Sequence, residues 1–358
     1  MRFSVKQAGT RIFVFGLLAL LPSLSSCLLA LQSHAEALSP ISPVYKIEAG
    51  LDGEIYPFLA NYASLQKQNQ RRFAALTVTI SNPTSVELRQ RVSVQLPGWS
   101  DAEVQTVEVQ PGATQALLFA PSFLPRFYEN REIAAATANV SITDLAGRTV
   151  YETTVPVRLR SGEDMYWGND FENAAFIASW VTPHDAPVEA MLARAKEYTD
   201  DRRLPGYEDW KSAAGQEHET YLEAKAIFTA LKQSGFSYVK SSQTLGDHQD
   251  LSERVRLPRA SLRDSSANCI DAAVLYASLF ENLGMEAEVI IVPGHAYVGV
   301  KVAQRSSRSL LIDAALTGRA TFETAVSSAQ AGMAKYEPST VTRVEIAKAR
   351  SAGIYPMP

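Results

Sequence analysis

Cysteine is nearly absent from this chain of 358 residues: two are present, Cys27 and Cys269. Only Cys269 lies outside the first 30 residues, so the body of the protein has no partner for an internal disulfide. Its one thiol is either chemically used or an inert buried residue. There is no Cys/His cluster at metal-ligand spacing, no Gly-rich phosphate loop and no serine elbow. No metal, no cofactor and no serine nucleophile of that type is therefore expected. Internal repeats and low-complexity tracts are missing as well. So is any basic excess: the formal net charge is −4. Without residues 1–37, which hold three basic residues and one acidic residue, it is −6. A mildly acidic chain argues against nucleic acid as a partner.

What is present begins with an export pattern. Arg2, Lys6 and Arg11 give a basic start, residues 12–21 are an apolar run, and Ala35-Glu36-Ala37 has the small-x-small form of a cleavage site. Leu24-Ser25-Ser26-Cys27 has the form of a lipoprotein processing box, in which Cys27 would be lipidated and become the new N-terminus. The apolar character resumes through Leu31, which also suits an uncleaved anchor of ~20 residues. Cleavage after Ala37, lipidation at Cys27 and an anchor all place the body outside the cytoplasm, periplasmic or attached to a membrane through its N-terminus. The hydrophobic content of 46% suffices for an ordinary core. About 320 remaining residues suggest two domains.

Residues 44–160 read as β. Leu76, Val78 and Ile80 alternate with Thr77 and Thr79, and Val92, Val94 and Leu96 with Ser93 and Gln95. Val107 and Val109, Val140 and Ile142, and Val155, Val157 and Leu159 continue the pattern. Period-two alternation means one buried face and one wet face. The breaks carry turn chemistry: Asn82-Pro83, Pro97-Gly98, Pro111-Gly112 and Ala146-Gly147. Short strands so spaced predict a β-sandwich of immunoglobulin-like type. It holds no cysteine, no histidine and no clustered carboxylates, which makes it a structural or docking module. Composition changes near Arg160, and Asp164-Met165-Tyr166-Trp167-Gly168 forms an aromatic junction. A helix over 187–198 follows, with Asp185 as N-cap and Pro187 in its first turn, then a second over 220–233 with Gly235 at its C-cap.

The chemistry-bearing residues come next, as Asn268-Cys269-Ile270-Asp271, Pro293-Gly294-His295-Ala296-Tyr297 and Leu311-Ile312-Asp313. Asn268 is a good N-cap and Asp271 a short capping-box partner, so a third helix starts at Cys269 and Gly284 ends it. That helix is apolar nearly all round, hence buried. A thiol in its first turn meets free backbone N–H groups and the positive end of the helix dipole, which favour a thiolate and can donate to a developing oxyanion. Residues 289–292 form a buried strand. After Pro293-Gly294, His295 opens the strand over 296–302, and 310–312 returns to end at Asp313. An antiparallel hairpin thus carries His295 and Asp313 to the same end of the sheet. A cysteine nucleophile needs an imidazole beside it, and that ring needs a third group to orient it. Cys269, His295 and Asp313 meet this requirement by type and placement.

These three motifs together resemble the core of the transglutaminase-like superfamily, within the papain-like thiol enzymes. The helix over 224–233 with Phe236-Ser237-Tyr238 also resembles the helix and aromatic turn that precede the cysteine in that family. The resemblance covers residues 165–320. It implies that Cys269 is the nucleophile, His295 the base and Asp313 the orienting acid. The family includes peptidases, amide-forming and deamidating enzymes, and members without activity. Two features depart from its pattern: Ala-Tyr follows His295 where many active members have Ala-Trp, and the Cys269-to-His295 spacing is short, which trims the cleft loops. Gln243, Tyr238 and Trp180 are candidates for a side-chain oxyanion donor, each with a structural alternative.

Elsewhere, His184 reads as a helix-start contact, His218 and His248 as solvated loop residues, and Leu257-Pro258-Arg259 as lining the cleft entrance. The extension 321–358 reads as two short helices, over 322–331 and 344–349, packed on the core. The whole is an exported two-domain protein: an immunoglobulin-like β-sandwich (44–160), then an α+β transglutaminase-like domain (165–320) acting by acyl transfer at an amide. Its expected partner is a protein or peptide substrate, such as one of the cell envelope. The rivals are an inactive binding or assembly module on the same fold, and an envelope structural protein that uses the sandwich as its interface.

Overall fold

The computed structural model describes residues 41–208, 212–240 and 251–358. The export pattern with Cys27 lies outside the described residues, as do Gln243 and His248. Among the described residues no helix is long and apolar enough to cross a membrane.

The first half is built from eight strands: β1 (Val44–Ala49), β2 (Glu54–Ile55), β3 (Leu76–Ser81), β4 (Leu88–Gln95), β5 (Glu103–Val109), β6 (Thr114–Phe119), β7 (Ala134–Asp144) and β8 (Thr149–Leu159). They form a three-stranded sheet in the order β1-β3-β6 and a five-stranded sheet in the order β2-β8-β7-β4-β5. The period-two pattern sets the faces. Leu76, Val78 and Ile80 of one sheet meet Val92, Val94, Val107, Val140, Ile142 and Leu159 of the other in one buried cluster. Burying such side chains stabilises by roughly 1.5–3 kcal/mol each. The four turn dipeptides all fall between strands.

Two α-helices depart from the all-β expectation. Helix α1 (Pro57–Ser64) interrupts this half, with Pro57 in its first turn. Its Phe58 leaves the sheets and packs in the second core, with ring centroids 5.4 Å from Phe176 and 5.5 Å from Trp180. The shorter helix, α2 (Pro125–Tyr128), lies between β6 and β7. The halves also share a buried ion network in which Arg160 contacts Glu54 at 3.5 Å and Asp164 at 3.0 Å.

The second half begins with strand β9 (Asp164–Tyr166). Helices α3 (Ala186–Ala195) and α4 (Ala213–Gln233), strands β10 (Ser237–Tyr238) and β11 (Ser252–Arg254), helix α5 (Pro258–Arg263) and strand β12 (Ser266–Ala267) lead to helix α6 (Cys269–Asn282). Then come β13 (Ala287–Val292), β14 (His295–Lys301), β15 (Ser309–Ile312), α7 (Phe322–Met333), β16 (Thr342–Glu345) and α8 (Ile346–Ser351). The central sheet is antiparallel, in the order β15-β14-β13-β16. Val289, Ile291, Ala296, Val298 and Val300 belong to the core that contains α6, whereas Ile290, Val292 and Tyr297 cluster with Ala329 of α7. Helix α6 thus serves one face of the sheet, while α7 reaches round its edge, with Phe322 and Ala325 in the α6 core and Ala329 on the other face.

Two expectations need correction. Helix α4 begins already at Ala213, because the Ser212 hydroxyl accepts the Gly215 N–H at 3.1 Å; His218 therefore lies on a helix and not in a loop. Residues 344–345, expected at the start of a helix, belong instead to strand 342–345: Val344 pairs with Val289 and completes the sheet, and helix starts only at Ile346. Trp180 takes its structural alternative: it is wholly buried in the second core beside Phe58. His184 is exposed in the turn before α3.

Candidate active site

The thiol is placed by the start of α6. Asn268 Oδ1 accepts the Asp271 N–H at 2.7 Å, and Asp271 Oδ2 accepts the Asn268 N–H at 3.3 Å. This capping box fixes the first turn, and Cys269 is its first helical residue. Asp271 is itself held: its Oδ1 accepts the Arg256 N–H at 2.8 Å and its Oδ2 accepts Arg256 Nε–H at 2.9 Å. From Ile270 to Phe280 every residue of the helix is buried, while Cys269 is only half-buried. The Asp271 N–H is taken by the cap, and the earlier first-turn N–H groups have no intrahelical acceptor, so a partly open sulfur sits at the donor end of the helix.

The histidine is placed by the hairpin. Val292 pairs with His295 across Pro293-Gly294. Proline fixes one turn residue near φ −65°, and Gly294 takes φ +75°, which the second central position of a type II turn requires. His295 and Tyr297, two apart on one strand, share a face. Their rings meet edge to face at 4.6 Å.

The carboxylate is placed by register. Val298 pairs with Ile312, so Asp313, one step on, lies diagonally across from His295, within reach of long side chains. His295 Nε2 and Asp313 Oδ1 are 3.0 Å apart. The remaining ring nitrogen is left free of Asp313, and Cys269 is close enough to help raise the ring. The second carboxylate oxygen, Oδ2, accepts the Ser328 hydroxyl at 3.0 Å, and the Asp313 N–H donates to Ala325 O at 3.1 Å. Ala325 and Ser328 are i and i+3 on α7, so one helix face holds Asp313 by both backbone and side chain.

The electrostatics follow. Burial alone would depress His295, but the hydrogen bonds and charges of Asp313 and Cys269 outweigh it and raise the ring from 6.5 to about 9. Tyr238 lies beside the thiol: burial first, and then the charge of Cys269, push its phenol up. Its strand β10 runs parallel to β12, directly before Cys269. Glu253 on β11 is raised to about 7, by burial and then by the charge of Asp271. Among the described residues no group of three or more His, Cys, Asp or Glu could hold a metal ion.

Of the expected residues, Cys269, His295 and Asp313 therefore lie together. Tyr238 is near them, Trp180 is in the core, and Gln243 lies outside the described residues. Ser328 and Arg256 were not expected. The one sequence signal for Ser328 is its spacing from the apolar Ala325 on a helix expected to pack on the core. Arg256 has no such local signal.

No protein-family model matches the chain, and no curated protein matches it. Among solved structures it is similar to the crystal structure of a FixG-related protein from Vibrio parahaemolyticus, at 14% identity over 33% of this chain and 95% of that one, with a TM-score of 0.20.

Proposed function

We propose that this protein is an exported, transglutaminase-like cysteine enzyme that performs acyl transfer at an amide. In this reading the two sheets of the first half are an immunoglobulin-like sandwich, and residues 165–320 are a transglutaminase-like domain. The single observation that carries the proposal is the His295 ring, bonded to Asp313 at 3.0 Å, with the half-buried thiol of a helix start near enough to raise it.

Cys269, as thiolate, attacks the carbonyl carbon of the substrate amide and forms a C–S bond. The carbonyl oxygen takes the negative charge, facing the first-turn N–H groups of α6. His295 gives its proton to the departing nitrogen, the C–N bond breaks, and a thioester and a free amine result. The ring, now neutral, takes a proton from water or from an acceptor amine. That nucleophile displaces the thiolate, giving a carboxylic acid or a new amide. Asp313 holds the ring throughout and stabilises its charged form. Ser328 and the Ala325 carbonyl position Asp313. The substrate is a protein or peptide of the cell envelope, reached from a periplasmic or membrane-attached position.

Iodoacetamide labelling of the folded protein at neutral pH tests the proposal. Wild type is expected to label quickly, His295→Ala slowly and Cys269→Ala not at all, with release of amine from a small peptide following the same order. Labelling of wild type only after unfolding would make Cys269 a core cysteine, and the fold a binding or assembly module.

A further inference from the structure

The chain is acidic overall, with a net charge of −4, yet one of its concave surfaces is basic. A cavity of about 280 Å³ is lined by five cations, Arg131, Lys240, Arg254, Arg256 and Arg263, against two anions, Glu163 and Asp264. A second cavity, of about 160 Å³, shares Arg131, Glu163 and Arg263 with the first and adds one charge of each sign, Glu129 and Arg259, the latter paired with Asp185 at 3.3 Å. The two make one groove between the loop after α2 and helix α5. Part of its charge is spent internally: Arg254 pairs with Glu163 at 2.9 Å, Arg263 with Asp264 at 2.7 Å and Arg256 with Asp271 at 2.9 Å. Arg131 and Lys240 are exposed, and no acidic group lies within ion-pair distance of either among the described residues.

The groove adjoins the thiol. Val239 and Lys240, which line it, directly follow Tyr238, whose phenol senses the charge of Cys269. The Val239 N–H donates at 2.9 Å to the carbonyl of Ala267, two positions before Cys269. Arg256, on the inner wall, grips Asp271 in the same helical turn as the thiol. One strand spacing and one or two residues along the chain put Lys240 on the order of 10 Å from Cys269, about two to four residues of an extended peptide. From this juxtaposition, and resting on the acyl-transfer reading above, we infer that the groove binds an acidic segment of the substrate protein, with Asp or Glu two to four residues from the reacting amide. Lys240, and Arg131, which makes no ion pair among the described residues but whose charge also acts on Asp264, supply the positive charge facing the groove. Guanidinium groups suit carboxylates because they can bind them through two parallel hydrogen bonds.

The test is fluorescence anisotropy of the full protein with a labelled peptide carrying three glutamates, beside a lysine peptide of equal length and a single-stranded DNA oligonucleotide. The glutamate peptide is expected to bind and the lysine peptide not to. The double variant Arg131→Gln/Lys240→Gln is expected to weaken binding at least tenfold, with the melting temperature of wild type retained. The bound peptide should slow iodoacetamide labelling of Cys269 at least threefold. Absence of binding, indifference to the double variant, equal binding of the DNA, or binding without protection of the thiol would each overturn the inference. An unreactive Cys269 with peptide binding that still depends on Arg131 and Lys240 would instead remove the acyl-transfer reading and leave the groove as a site for acidic segments. In that case protection is read by peptide-dependent fluorescence of a label attached to Cys269 after unfolding and refolding.

Discussion

Replacing Asp313 by alanine isolates what the carboxylate does for His295. In the wild type the ring is raised from 6.5 to about 9, although burial opposes its charge. At pH 8 a group titrating at about 9 is roughly 90% charged, whereas one at 6.5 is roughly 3% charged. The bond removed is charge-assisted and 3.0 Å long. Such bonds contribute about 1.5–3 kcal/mol, and 1.36 kcal/mol moves a midpoint by one pH unit. The variant should therefore titrate at roughly 7–8, the thiol continuing to support the charged ring. The stability linkage has a definite sign. A ring with a raised midpoint contributes stability that is fully present below about 6.5 and lost as pH rises through about 9. The contribution is roughly 2–3 kcal/mol once solvent screening of this partly open ring is allowed for. Nitrogen–proton correlation spectra of the imidazoles give the midpoints, and His295→Gln assigns the resonance among the five histidines of the chain. Urea unfolding at pH 6 and pH 9.5 gives the linkage: the stability lost between them should shrink in Asp313→Ala. A wild-type His295 midpoint near 6.5, or one that stays near 9 in the variant, would refute the reasoning.

Four further outcomes follow from the geometry. Asn268→Ala removes half of the capping box at α6 and should cost about 1 kcal/mol, seen as a lower urea midpoint with an unchanged slope. Ser328→Ala strips one donor from Asp313 Oδ2 and should slow Cys269 alkylation and blur the His295 imidazole signal, while Ser328→Thr restores both if the hydroxyl is what matters. A methyl group on Gly332 would lie 2.1 Å from the Tyr297 hydroxyl, so Gly332→Ala should push the tyrosine against His295 and shift its ring resonances; adding Tyr297→Phe should reverse much of the change. Glu253, raised from 4.5 to about 7, keeps its proton in the folded protein across that window, so its contribution falls as pH rises from 4.5 to 7; Glu253→Gln should flatten that part of the urea stability profile.

The parts of this protein that its sequence determined by itself are those written in short-range chemistry. Asn268 and Asp271 are three residues apart, so their capping box, and with it the place of Cys269 in a first turn, is local. Pro293-Gly294 dictates the hairpin that puts His295 at a strand start, and the alternation of Leu76, Val78 and Ile80 dictates which face is buried. Tertiary structure decided what depends on partners distant along the chain. The bond of His295 to Asp313 needs the register set by the turn between β14 and β15, since a one-residue slip would turn Asp313 to the opposite face. Arg256 and Ser328 reach Asp271 and Asp313 from α5's approach and from α7, elements whose docking no local pattern encodes. Residues 342–349 show why: so short an apolar pattern suits helix or strand alike. Residues 342–345 became strand because β13 offered them an unpaired edge, where backbone hydrogen bonds and the burial of Val344 outweigh a weak local preference.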